Sequence, residues 1–145
     1  MSYAIDVNVV LYASDTRSAR YEGAKRFLQE ASSRKDLLCI PWPVAMSYVR
    51  SATHPRIFND PLSTTEALQN LEALAALPQV RFLSERENFL EEFRTLAASL
   101  NARGNLIPDV HIATILRQHG VRLFYTSDRD FRRFDFLDVR DPFTE

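Results

Sequence analysis

The 145-residue chain predicts a three-layer α/β/α domain around a central parallel sheet of four to five strands. Two observations carry that expectation. Short apolar segments rich in β-branched and aromatic residues recur along the chain, and segments with helical spacing of apolar residues separate them. Strands that alternate with helices pair in parallel, and a parallel sheet is covered on both faces. No repeat, low-complexity tract or linker divides residues 1–145, and the length suits one domain with a substantial core.

The elements follow in order. The first strand is read at Tyr3 to Ile5, where the apolar run "AIDVNVVLYA" is interrupted by Asp6 and Asn8. In "SARYEGAKRFLQEASSR" the residues Tyr21, Ala24, Phe27, Leu28 and Ala31 fall on one helical face. Leu37 to Ile40 gives the second strand and Val80 to Leu83 the third. The pairs Ser63 with Glu66 and Ser84 with Glu87 have the spacing of capping boxes, in which side chains and backbone donors at a helix start satisfy each other. They open "TTEALQNLEALAAL" and "ERENFLEEFRTLAASL", both with leucine- and alanine-rich faces. In "PDVHIATILRQHG" Pro108 suits a first turn and Gly120 the position past a helix end. Val121 to Tyr125 is the fourth strand, and Leu137 to Val139 a weaker fifth.

Composition narrows the function. Hydrophobic residues make up 46% and charged residues 26%, as in ordinary globular proteins and unlike disordered ones. No apolar run approaches the roughly 18 residues that span a bilayer. The N-terminal stretch lacks a basic region and holds Asp6, so no signal peptide is expected. The single cysteine, Cys39 in "LLCIP", reads as a buried thiol of a reducing compartment, and a cytoplasmic location is expected. The net charge of -1 does not advertise a nucleic-acid binder, but of the 18 basic residues only Lys25 and Lys35 are lysine. Arginine's planar fork suits phosphate, although genomic base composition would produce the same bias. The three glycines are scattered, which excludes a glycine-rich phosphate cradle.

Carboxylates carry the chemistry. In open α/β sheets ligands bind at the carboxyl ends of strands. Asp6 ends the first strand, Asp128 and Asp130 in "FYTSDRDFRRF" follow the fourth, and Asp109 lies in the first turn of the preceding helix. Taken singly, Asp6 or Asn8 could cap a helix, Asp109 could complement a helix dipole, and Asp128 and Asp130 could form a turn. Together they are costly, because clustered carboxylates repel one another unless a cation neutralises them. Mg2+ takes such oxygen ligands and Mn2+ can substitute. The histidines His54, His111 and His119 lack zinc spacing with Cys39, and His111, two residues beyond Asp109 on a helix, is expected to point away from it. No serine or cysteine triad is supported.

The chain resembles the PIN-domain ribonucleases of the VapC type, the toxin half of bacterial toxin–antitoxin pairs. The resemblance spans nearly the whole length through "IDVNVVLYA", "PWPVAMSYVRSATHPRIF" and "IPDVHIATILRQHGVRLFYTSDRDFRRF". It implies a PIN-like fold and a Mg2+-dependent endoribonuclease that hydrolyses RNA phosphodiesters with activated water, leaving a 5′-phosphate and a 3′-hydroxyl. Asp6, Asp109 and Asp128 would hold one or two metal ions and be catalytic. Asn8 and Asp130 would support the metal shell, with Thr126 or Ser127 orienting Asp128 or a bound water. Many members carry a glutamate on the helix after the second strand, where this chain has Ser47. A short neutral hydroxyl there should lower metal affinity, and it leaves open a catalytically weak PIN fold that binds RNA or a partner without cutting.

Arg50, one turn from Ser47, is the favoured phosphate-binding side chain. His54, Arg56, Arg129, Arg132 and Arg133 are lesser candidates. The family implies a VapB-type antitoxin as partner and a homodimer, for which Phe27, Leu28, Tyr48 and Val49 offer contact surface if the core does not claim them. A haloacid-dehalogenase-type phosphotransferase fails on Asn8, where that family needs a second aspartate, and on lysines that come too early.

Overall fold

In the computed structural model, which describes residues 1–144, the recurring apolar segments form β1 (Ser2–Ile5), β2 (Leu37–Pro41), β3 (Val80–Leu83), β4 (Leu123–Tyr125) and β5 (Asp138–Arg140). They make one sheet in the order β3-β2-β1-β4-β5, each neighbouring pair parallel. Between them run α1 (Val7–Ala13), α2 (Tyr21–Ser33), α3 (Trp42–Ala52), α4 (Thr64–Ala75), α5 (Phe89–Ser99) and α6 (Ile107–Gln118). With the right-handed crossovers that parallel strands adopt, this strand order puts the connections from β1 towards β3 on one face and those reaching β4 and β5 on the other. The result is the three-layer α/β/α fold, with the fifth strand real but starting at Asp138.

The core lies on the central strands. Ser2, Tyr3 and Ala4 of β1 pair with Leu37, Leu38 and Cys39 of β2 on one side, and Tyr3, Ala4 and Ile5 pair with Leu123, Phe124 and Tyr125 of β4 on the other. Tyr3, Ala4, Ile5, Leu38, Ile40 and Phe124 are all buried. Cys39 is a buried free thiol, as expected. Tyr48 is also fully buried, with its hydroxyl 2.7 Å from the Ser14 hydroxyl and accepting from Asn70 Nδ2 at 2.8 Å. Phe27, Leu28 and Val49 are partly buried and pack onto the same core, so of the four candidate contact residues Tyr48 is the one the interior claims completely.

Two local readings change. The box at Ser63 is present, with Ser63 Oγ accepting from Glu66 N–H at 3.1 Å and Glu66 Oε1 accepting from Ser63 N–H at 2.9 Å. Ser84 opens no helix: α5 starts at Phe89 behind Asn88, whose φ is 63°. The segment between is pinned by Gln118 instead, which accepts from Arg86 N–H at 2.8 Å and donates to the Glu87 carbonyl at 3.1 Å. Val121 likewise leaves the fourth strand, because its N–H donates to the Leu116 carbonyl at 2.9 Å and closes α6. That closure needs the left-handed turn at Gly120, where φ is 68°.

The strand order has one further result. From β1 the chain proceeds to β2 and β3 on one side, whereas β4 and β5 lie on the other. The carboxyl ends of β1 and β4 therefore flank the point where the connections diverge, the place where open α/β sheets leave a crevice.

Candidate active site

At that crevice Asp6 and Thr126 face each other from the ends of β1 and β4. Asp6 donates its N–H to the Tyr125 carbonyl at 3.0 Å, which fixes its backbone to β4. Its Oδ1 accepts from Val7 N–H at 2.8 Å and caps α1, and its Oδ2 accepts from the Thr126 hydroxyl at 2.7 Å. The residue is 7% exposed. Burial pushes its carboxyl above the usual range and Asp128 adds to that, while the Thr126 and Val7 donors pull it back. Capping and membership of the acidic site are thus both true of Asp6.

The turn after β4 is wired to the same group. Thr126 Oγ1 accepts from Asp128 N–H at 3.0 Å, and Asp128 Oδ1 accepts from Asp130 N–H at 2.9 Å, capping a short 3-10 helix over Arg129–Arg133. Asp109 enters from the first turn of α6. Its carboxyl is raised to about 6, first by burial and then by Asp128, Asp6 and Asp130, with Arg133 acting in opposition. Oxygens of Asp109, Asp128 and Asp130 all lie within 4.8 Å of one another. Asp6 stands outside that trio, with both oxygens already accepting one hydrogen bond.

A cavity of about 400 Å³ opens here, with Asp6, Asn8, Ser47, Asp109, Ser127 and Asp128 in its wall. Ser47, at the position where the resemblance leads us to expect a glutamate, therefore lines this cavity. Thr126 contributes through its bonds to Asp6 and Asp128, and Asp130 through the oxygen trio. Arg50 is exposed on α3 outside the cavity wall. Arg129 and Arg132 are exposed, and His54 accepts from Arg56 N–H at 3.0 Å in a local turn. The imidazole of His111 is engaged by Glu85 and Phe89 and not by Asp109. It lines the same cavity as Asp109, held by Glu85 Oε2 at 2.8 Å and edge-on to Phe89 at 5.3 Å between ring centroids. The cavity wraps the start of α6, so residues on two sides of that helix border it, which helical spacing alone does not reveal.

The donor set fits a hard divalent cation. It is all oxygen, Asp109 is raised by burial and further by the neighbouring carboxylates, and Ser127 Oγ is buried in the cavity wall without a hydrogen-bond partner. A cation would relieve the repulsion, and its hydration shell would give the orphan hydroxyl a partner.

Comparison with known proteins agrees with this geometry. The pattern of the PIN domain matches residues 3–137. Ribonuclease VapC48 of Mycobacterium tuberculosis is 35% identical over 144 residues, covering 99% of each chain. VapC ribonuclease Mb2897 of Mycobacterium bovis is 31% identical over 138 residues, covering 95% of this chain and 93% of that one. Among solved structures, VapC20 of Mycobacterium tuberculosis, described as a sarcin-ricin loop cleaving toxin, superposes with a TM-score of 0.69 at 17% identity over 95% of this chain and 98% of that one. VapBC2 of Rickettsia felis, bound to a promoter DNA fragment, also gives 0.69, at 14% identity over 97% and 98%.

Proposed function

The chain belongs to the PIN-domain family and, matched nearly end to end by VapC ribonucleases, we propose that it is the endoribonuclease toxin of a VapBC-type toxin–antitoxin pair. One observation carries the reading on the structural side: three distant stretches of sequence deliver Asp6, Asp109 and Asp128, with Asp130, to one crevice at the switch point of the sheet. The inert alternative is not favoured, since the relatives are named as ribonucleases.

In this reading Asp109, Asp128 and Asp130 hold Mg2+, or Mn2+ in its place. When bound, the cation makes water a stronger nucleophile and stabilises charge that builds on the phosphate oxygens during in-line attack. Asp6 is kept in one orientation by Val7 and Thr126, and each of its oxygens retains acceptor capacity beyond the one bond it makes there. Thr126 ties Asp6 to the Asp128 turn, so two carboxylates keep their relative placement without help from the ligand. Ser127, Asn8 and Ser47 offer neutral polar groups for water in the cavity. Nothing covalent forms on the protein.

The substrate is RNA, best seated as an unpaired loop because stacked duplex nucleotides do not reach a recessed site. A VapB-type antitoxin restrains the enzyme in the cytoplasm, and the kinship adds a homodimer, checked by sedimentation. A reducing compartment suits the free Cys39, and no helix among the described residues is long and apolar enough to cross a membrane. The deciding assay incubates the protein with structured RNA in Mg2+, Mn2+ or chelator, beside an Asp6→Ala variant. Cleavage that needs the cation and is lost in the variant is expected. Cleavage that survives chelation or the substitution would overturn the metal mechanism.

A further inference from the structure

Part of the cavity wall belongs to α3, through Pro43 and Ser47, and that helix has an unusual exposed side. Val44, Ala45, Tyr48, Ser51 and Ala52 are buried. At roughly 100° per residue, the remaining arc carries Trp42, Met46 and Arg50 and continues into Pro43 and Ser47, which line the cavity. Trp42 is 44% exposed and Met46 48% exposed. Arg50 is exposed, is the one charged residue of α3, and has no salt bridge among the described residues.

Trp42 is also held in place. It lies between Pro41 and Pro43 at the start of the helix, and its ring packs on Phe82 with centroids 4.7 Å apart at 41°. An aromatic surface fixed in advance loses little side-chain entropy when something stacks on it. Accordingly, we propose that this side of α3 is the track for unpaired RNA next to the scissile phosphate: Trp42 stacks a nucleobase, Met46 packs beside it, and Arg50 pairs with the backbone. The inference rests on the ribonuclease reading above. Charge favours RNA over a protein partner here. The carboxylates repel a polyanion, so a strand entering the cavity needs a cationic group beside it, and Arg50 supplies one on the helix that forms the wall. The stripe is broken by that guanidinium, whereas the groove on α5 around Leu90 and Phe93 is the more continuous apolar surface.

Trp42 is the sole tryptophan of the chain, so its fluorescence reports this position alone. The test titrates the Asp109→Asn variant, in Mg2+, with a short unpaired oligoribonucleotide and with the matching duplex. Expected is a saturable quench by the single strand and little by the duplex. Binding of the labelled oligonucleotide, followed by polarisation, should weaken roughly 5- to 100-fold in Trp42→Ala and be largely retained in Trp42→Phe, because stacking needs a ring and not an indole. Arg50→Ala should weaken binding and flatten its salt dependence. Absence of a quench while polarisation reports tight binding would overturn the proposal, as would unchanged affinity in Trp42→Ala. A Trp42→Ala chain that keeps RNA affinity but sediments as a lighter species would instead assign the stripe to contacts between proteins. A saturable quench without cleavage of any RNA by the wild-type chain would leave this surface standing and remove the ribonuclease reading.

Discussion

The two walls of the active-site cavity are built on opposite terms. On the β1–β4 side a chain of hydrogen bonds links the carboxylates: Asp6 accepts from Val7 and Thr126, Thr126 accepts from the Asp128 backbone, and Asp128 accepts from Asp130, while the buried Ser127 hydroxyl is left without a partner. On the α3 side Pro43 and Ser47 bring no charge, and the neighbouring Trp42, Met46 and Arg50 reach out to solvent. The first wall collects repelling charges and needs a rigid frame to keep them together, since separation would be the cheaper response. The second has no such conflict and is free to differ in chemistry. On the function and the RNA track proposed above, the contrast assigns reaction and access to different elements, so substitutions on the two sides should fail in different ways.

The largest expected effect is on the acidic wall. Asp128→Ala or Asp109→Ala should lower RNA cleavage by roughly 10²- to 10³-fold or more, the scale seen when a group that positions transition-state stabilisation is removed. Single-turnover rates in Mg2+ check this, and a loss under tenfold would place the reacting centre elsewhere. Stability should move in the opposite sense. Asp109 rises from an ordinary 3.8 to about 6 in the fold, so its contribution is fully favourable below pH 3.8 and is lost as pH climbs through 6. In chelator, Asp109→Asn should therefore stabilise the chain above pH 6 and give no gain near pH 4. The gap corresponds to roughly 3 kcal/mol, which partial exposure reduces to about 1–2 kcal/mol, or roughly 3–6 °C in Tm. Mg2+ should raise the Tm of the wild type and hardly that of the variant. A variant less stable at pH 8 would contradict the repulsion argued for this wall.

Next in size is Thr126→Val, which leaves Asp6 Oδ2 without its donor inside a buried site. We expect a loss of about 1–3 kcal/mol in chemical denaturation at pH 7, shrinking at acid pH where Asp6 takes up a proton. Because the threonine also anchors Asp128, cleavage should fall with it, and Thr126→Ser should recover both. Recovery of stability without activity would separate the two bonds that meet at this hydroxyl.

The same contrast explains what the sequence disclosed. Strand segments such as Tyr3 to Ile5 were legible because burial on both faces imposes a run of apolar residues, and Asp6 stood out by interrupting one. Pro108 and Gly120 bounded α6 because each has a conformational reason for its place. Ser84 misled because a capping pattern is necessary for a box and not sufficient: Gln118, more than thirty residues away, takes the backbone groups of that segment. His111 was hidden for a related reason. Its place in the cavity depends on how α6 meets the sheet, and its partner Glu85 is on a separate loop. Trp42 carried no signal of its own, since an aromatic after an apolar strand reads as core, and only the packed structure leaves it exposed.

The smallest expected effect lies on the neutral wall, and it bears most directly on how the two sides cooperate. Ser47 lines the cavity at the position where the resemblance to the PIN-domain ribonucleases leads us to expect a glutamate. If the acidic wall already holds the cation through Asp109, Asp128 and Asp130, Ser47→Ala should change metal affinity by less than about threefold, since one neutral hydroxyl adds little to a charged oxygen set. Ser47→Glu adds a charge across the cavity and should tighten Mn2+ binding by roughly tenfold, because affinity in oxygen sites follows ligand charge. Calorimetry with Mn2+ at pH 7.5 reads both. The added carboxylate should also destabilise the metal-free chain above pH 6, through repulsion with Asp109. Unchanged metal affinity in Ser47→Glu would show that the α3 wall stands too far from the carboxylates to share a cation, and that the two walls meet only through the RNA between them.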